Sequence, residues 1–394
     1  MKTLTHKTIS LSRTQRVHLG LRADAAVAEE ARFAGARRVL LIAGTTLRMQ
    51  TPVIGDIVAA LGPLHAATWS GISPHVPRSD VVAGIAAARA CEADMIVAVG
   101  GGSVVDASKV INLGLRHGVR TVDDLDRFAI VVSRKDGWQR PAFEGPELPL
   151  VIVPTTLSGG EFSALAGMTD ERRQKKEGVI HPTMAPAAIA LDPHVTVYTP
   201  QWLWLSTGIR AVDHATETLA SALSDPYCDG MAESALRLLG EGLRRVRGDP
   251  DDMEARLMCQ VGAWHSKIPT VSGVPMGASH AIGHVLGARH RVPHGYTSCV
   301  MAPSVQAWNA SDEQARRRQR RISAALGDAG QPAADLLAAL IAELGLPRRL
   351  SDVGVTEADL QGIAEATLHD LWAATNPRPL ATSADVLEIL AAAV

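Results

Sequence analysis

Apolar positions follow two rhythms along the chain, and the rhythm changes near residue 193. In the first half, short β-branched runs alternate with helical patterns. Val39-Leu40-Leu41-Ile42-Ala43 ends in Gly44-Thr45-Thr46, Met95-Ile96-Val97-Ala98-Val99 ends in three glycines, and Leu150-Val151-Ile152-Val153 stops at Pro154-Thr155-Thr156. Short continuous apolar runs closed by a breaker are what strands buried on both faces require. Between the first two, Val81, Val82, Ile85 and Ala88 recur at spacings of three and four, which predicts a helix over 78–93. Strand, helix, strand in alternation predicts an α/β domain with a doubly wound parallel sheet over residues 1–193. Beyond Leu191-Asp192-Pro193 the pattern is alanine- and leucine-rich at helical spacing, as over 231–243, 333–344 and 358–367. Gly, Pro and Asp clusters separate these stretches, so an all-α domain without strands is expected over 194–394.

Composition narrows the function classes. With 39 basic and 41 acidic side chains the net charge is −2, which argues against a nucleic-acid partner. No apolar run approaches the ~18 residues of a membrane span. The first twenty residues are basic and polar, so no cleaved secretory signal is expected. Cys91, Cys228, Cys259 and Cys299 lie far apart with no CxxC pair, as reduced thiols of a cytoplasmic protein do. The basic run Arg316–Arg321 is expected to be a solvated helix face.

Two places carry candidate chemistry. Gly100-Gly101-Gly102-Ser103-Val104-Val105-Asp106 follows a strand and opens a helix. Glycines let backbone approach a pyrophosphate, and a helix N-terminus offers free N–H donors and a positive dipole end. The spacing is neither GxGxxG nor a Walker loop. Thr155 and Thr156 would bring hydroxyls to the same carboxyl-end edge of the sheet. The second place is histidine-rich. His280 and His284 are four apart, on one face of a helix, and His294 follows in Val292-Pro293-His294-Gly295. With His214, in Arg210–Glu217, these imidazoles suit either a divalent metal or catalysis.

Taken in order, these segments resemble the group III, or iron-containing, alcohol dehydrogenase family, which includes the maleylacetate reductases. The motifs are the glycine turn at 100–106, Pro154-Thr155-Thr156, Leu191-Asp192-Pro193, the 210–217 stretch, the 280–295 block and Asn376-Pro377-Arg378-Pro379. The resemblance implies a dehydroquinate synthase-like architecture: a dinucleotide-binding domain, an all-helical domain and a cleft between them. It implies NADH or NADPH on Gly101, Gly102 and Ser103, with Asp106 in the same turn. Thr155, Thr156 and Ser158 would line the nicotinamide side, and Lys176 would hold a ribose. Gly44 stands where NAD-specific relatives carry an Asp, so both coenzymes remain open. The metal positions match His214, His280 and His294, and the proton-relay position matches His284. The family's fourth ligand, an Asp four residues before the first His, is here Arg210. A guanidinium cannot deprotonate to ligate iron or zinc, and it would repel the cation. Maleylacetate reductases also lack that Asp, and Pro154–Glu161 is short as in that branch, although the 116–149 segment is longer than theirs.

The expected function is therefore an NAD(P)-dependent reductase of a small carbonyl or alcohol compound, of the maleylacetate type, working without a metal. Arg210 and the imidazoles would stabilise the oxyanion, and His284 would deliver the proton. The alternatives are a metal-dependent alcohol dehydrogenase, a dehydroquinate synthase-like lyase that also uses NAD, and a binding protein that has lost activity. A cytoplasmic homodimer with a small-molecule substrate, without membrane or nucleic acid, completes the expectation.

Overall fold

A computed structural model describes residues 8, 9, 11–133 and 137–394; residues 1–7 and 10, part of the stretch read for a secretory signal, lie outside it. Ten strands occur in the order β1 (Arg16–Leu19), β2 (Val39–Ala43), β3 (His65–Trp69), β4 (Met95–Gly100), β5 (Val131–Ser133), β6 (Gly137–Gln139), β7 (Leu150–Pro154), β8 (Leu165–Asp170), β9 (Lys175–Ile180) and β10 (Ala188–Leu191). Six form one sheet in the order β1-β10-β7-β4-β2-β3, and every neighbouring pair is parallel. The three runs that announced themselves as strands are the adjacent central ones, β7, β4 and β2. Alternate residues cover opposite faces. Leu40, Ile42, Ile96 and Ile152 join a core with Val81 and Ile85 on one side, while Val39, Leu41, Val97 and Val151 join the other. The helix expected over 78–93 spans Arg78–Ala90.

The strands missed in the sequence are the edges, the hairpins and one buried run. β1 and β3 are only partly buried, so neither shows a continuous apolar run. β10 is fully buried, but its Ala-Ile-Ala-Leu reads as helically as it reads extended. β5–β6 and β8–β9 are antiparallel hairpins beside the sheet.

Among the described residues no strand follows Leu191. The helix Gln201–Ala220 is the axis of the second half, buried on every side from Trp204 through Ile209 and from Ala211 to its end. The helices Pro226–Gly248, Met253–Val271, Ala278–His290 and His294–Asn309 carry its surroundings. Among the described residues no helix is long and apolar enough to cross a membrane. No disulfide joins any of the four cysteines.

The basic run corrects its expectation. Arg316 and Arg317 pair with Glu313 at the surface, as a solvated face does. Arg318 and Arg321 instead bind the buried carboxylate of Asp229, and Arg318 also donates to the Leu219 carbonyl 2.8 Å away. Half of the run ties its helix to the bundle.

Candidate active site

The glycine turn forms first, because it is local. β4 ends at Gly100, Gly101 caps the helix Gly102–Arg116, and Gly100 O accepts the Thr155 N–H at 3.1 Å, which sets β7's end beside the turn. A Cβ on Gly101 would lie 3.1 Å from Thr156 Cγ2, and one on Gly102 3.3 Å from Ser158 Oγ. The Thr156 and Ser158 hydroxyls are themselves 3.3 Å apart. Gly44, capping the short helix after β2, donates to Val99 O at 3.2 Å and so belongs to the same edge. First-turn N–H groups have no partner within their own helix. Bare backbone, free donors and the Thr156 and Ser158 hydroxyls at one strand end form a cradle that fits a pyrophosphate.

Asp106 and Lys109, one and two turns further on, face the loop after Thr156. Lys109 is buried and donates to the carbonyls of Gly160, Ser163 and Leu165 at 2.7, 2.6 and 3.0 Å. Asp106 accepts the Gly167 N–H at 3.0 Å, and burial raises its pKa. Its carboxylate thus holds the β8–β9 hairpin beside the helix, and Lys176 of β9 passes over Gly167 next to it.

Lys176 does not stand alone. Its Nζ is 3.1 Å from Nε2 of His294, at the start of the helix His294–Asn309. His75 approaches from a third segment, its ring 6.4 Å from that of His294, edge to face. His75 and Val76 adopt left-handed φ of 68° and 58°, a conformation that costs a β-branched residue most. Thr169 holds them there, its N–H on Val76 O at 2.8 Å and its hydroxyl on His75 O at 2.7 Å. Arg78, buried two residues later, binds Glu177 beside Lys176 and Asp126. Sequence reading passed over His75; a histidine before Val-Pro was its only mark.

The central helix supplies the other wall. Arg210, Asp213, His214 and Glu217 recur at three, four and seven, which places them on adjoining faces. Arg210 Nη1 donates to Ser298 Oγ at 3.0 Å, Ser298 donates to Asp213 Oδ2 at 2.7 Å, and Ser279 donates to the same oxygen at 2.7 Å. Glu217 accepts the N–H groups of Gly277 and Ser279 at 2.9 and 2.8 Å, at the N-terminus of Ala278–His290. It also binds His280 Nδ1 at 2.7 Å. Burial, then Asp213, raises the Glu217 pKa. Asn376, in the motif near the C-terminus, accepts the next N–H, from Ala278, at 3.0 Å. Glu217, three residues after His214, was not singled out in the sequence.

His280 and His214 rings lie 4.8 Å apart, centroid to centroid. His280 Nε2 and His214 Nδ1 are buried without partners. His284 is different: its side chain is 42 % exposed, and Nδ1 meets Asp370 Oδ2 at 2.9 Å. Asp370 is in turn fixed by the Trp372 N–H at 2.9 Å.

The residues do not fit a divalent metal. Burial comes first in lowering His214, His280 and His294, but Lys267 and Arg210 also depress His214, and Arg210 and Lys267 depress His280. Lys176 and Arg210 help to hold His294 down to about 2. A dication at those nitrogens would meet the same positive field. His294 Nε2 already faces an ammonium. Among the described residues, the set of potential ligands that converges is Asp213, Glu217 and His280 rather than the three histidines. Their oxygens mostly serve the serines and the helix N-terminus.

Comparison with known proteins defines the class. Residues 14–193 match the iron-containing alcohol dehydrogenase family model, and residues 204–394 match the C-terminal model of the same family. The chain belongs to the iron-containing alcohol dehydrogenase family, within its maleylacetate reductase-like branch, and is an oxidoreductase. It is 32 % identical over 388 residues to a dehydrogenase, ALT3, of Alternaria alternata, covering 90 % of this chain and 98 % of that one. It is 31 % identical over 381 residues to maleylacetate reductase 2 of Cupriavidus pinatubonensis, covering 96 % and 94 %. The crystal structure of a putative alcohol dehydrogenase from Ralstonia eutropha JMP134 superposes with a TM-score of 0.83 at 30 % identity, covering 99 % and 98 %.

Proposed function

We propose that the protein reduces the carbonyl of a small oxo-acid with NADH or NADPH, and that it does so without a resident metal. The observation that carries this reading is Arg210, a guanidinium fixed by Ser298 where the resemblance puts a metal-binding carboxylate. When bound, the reduced nicotinamide supplies a hydride. The chain's part is to hold the coenzyme on Gly101, Gly102, Ser103, Thr155, Thr156 and Ser158, with Lys176 toward a ribose. As hydride arrives, charge grows on the carbonyl oxygen, and a fixed cation is the group to meet it. Arg210 retains donors beyond the one given to Ser298.

The imidazoles do not share that task as expected from sequence. With Nδ1–H directed to Glu217, His280 presents a lone pair at Nε2, and His294 Nε2 accepts from Lys176. His280 Nε2 is thus an acceptor toward the cleft, whereas His294 Nε2 is taken by the Lys176 ammonium; neither nitrogen offers a donor to an oxyanion. His284 fits the proton step. Asp370 holds its Nδ1–H, leaving Nε2 to exchange a proton between the cleft and solvent.

The test is metal analysis joined to kinetics. The purified enzyme should carry no stoichiometric iron or zinc, and chelators should leave oxo-acid reduction unchanged. Arg210→Asp should lose that activity and gain affinity for a divalent ion. One tightly held metal per wild-type chain would overturn the reading.

A further inference from the structure

The helix Met253–Val271 places one cationic side chain in the cleft that the steps above leave without a task. Trp264 stacks on Phe162, rings 5.5 Å apart and 10° from parallel, which docks this helix on the loop after Thr156. Lys267, nearly one turn on, lays its stem along Gly159: a Cβ there would touch its Cβ, Cγ and Cδ at 3.5–3.6 Å. Beyond that stem, the ammonium interacts electrostatically with Arg210, Lys109, Asp106 and Glu161, and its charge also reaches His214 and His280.

Lys267 has no hydrogen bond or ion pair among the described residues. Of the nearby carboxyls, Asp106 receives the Gly167 N–H, and burial raises Glu161 to about 7, so neither gives Lys267 a hydrogen-bonded ion pair. A half-buried ammonium without a partner is costly, and its stem could be packed equally well by an apolar residue. Burial and the two neighbouring cations, Arg210 and Lys109, bring its pKa down to about 8, so it is mostly charged at neutral pH.

We propose that Lys267 is a specificity-determining residue whose ammonium docks a carboxylate of the substrate, while Arg210 faces the reacting carbonyl. Two cations reaching the cleft from different helices, 253–271 and 201–220, define a substrate with an anionic end and a carbonyl end. The inference rests on the oxo-acid reading above and assigns the residue that enforces it. A point charge on a flexible stem suits carboxylates of varied length, whereas a bidentate arginine would fix one geometry.

The probe is succinate, a dicarboxylate without a reducible carbonyl, set against succinamide, its neutral analogue. Calorimetry on the wild-type enzyme with NAD⁺ present should show succinate binding at least about 10-fold more tightly than succinamide. Lys267→Met should weaken succinate by about 10–100-fold and leave succinamide within about 3-fold, and Lys267→Arg should restore most of the loss. In turnover, Lys267→Met should raise KM for succinic semialdehyde far more than for butanal. NADH titration followed by fluorescence reads the coenzyme site separately, so loss of the oxidoreductase reading and loss of this one are told apart. Equal affinity of wild type for succinate and succinamide overturns the proposal, even if the Met variant does not fold. So does a folded Lys267→Met that binds succinate normally.

Discussion

The two ends of the cleft are built from different material. At the turn after β4 the contact surface is backbone, shaped by Gly101 and Gly102 and trimmed by neighbouring hydroxyls. At the other end it is cationic and imidazole side chains drawn from distant stretches: Lys176, Arg210 and Lys267 with His75, His280 and His284. The first end is assembled once a strand and a helix pack. The second exists only when the hairpin, the central helix and three further helices are all in place. On the proposed reading, one end binds a constant partner, the coenzyme, by geometry, and the other selects a variable substrate by charge.

That contrast predicts different failures. The largest effect is expected at the side-chain end. His284→Ala should lower kcat by about 10²–10⁴-fold, the usual span for a lost general acid, with coenzyme affinity unchanged. Stopped-flow turnover with a matched NADH titration reads both. Activity near the wild-type level would move the proton step to water or to His75, an exposed imidazole beside His294.

At the backbone end the failure is in binding. Gly101→Val puts a branched side chain 3.1 Å from Thr156 Cγ2 at its first carbon and fills the space a phosphate would take. NAD(P)H affinity should fall at least about 100-fold, with circular dichroism of the helical half unaltered. Unchanged affinity would remove the turn from the site and dissolve the comparison.

The same contrast explains what the sequence disclosed. Val39–Ala43, Met95–Val99 and Leu150–Val153 were legible because strands covered on both faces carry unbroken apolar runs. Gly101 was legible because a glycine triplet after such a run has a local cause. Arg210 stood out only against the pattern of the family that the chain resembles. Glu217 was hidden because its partners, the N–H groups of Gly277 and Ser279, lie about sixty residues away. Lys267 was hidden for a related reason. One lysine in a helical stretch looks solvated until the loop at Gly159 closes over its stem.

The smallest effect tests the seam between the two ends. Glu161 sits in the loop that joins them, buried, with Oε2 lacking a partner. Burial raises its pKa from the ordinary 4.5 to about 7, outweighing the pull of Lys109 and Lys267. A carboxyl with a raised native pKa holds its proton more tightly folded than unfolded. Its stabilising contribution is complete below pH 4.5 and lost as pH rises through 7. The shift corresponds to about 3 kcal/mol between those limits. Glu161→Gln keeps the neutral shape and cannot ionise, so it should match wild type near pH 5 and exceed it at pH 8, by a few degrees in Tm. Thermal melts at the two pH values decide it. Parallel curves would mean that Glu161 is already ionised in the native state. A negative charge would then stand in the seam beside Lys267, and the positive field that separates the substrate end from the coenzyme end would be partly cancelled before any substrate arrived.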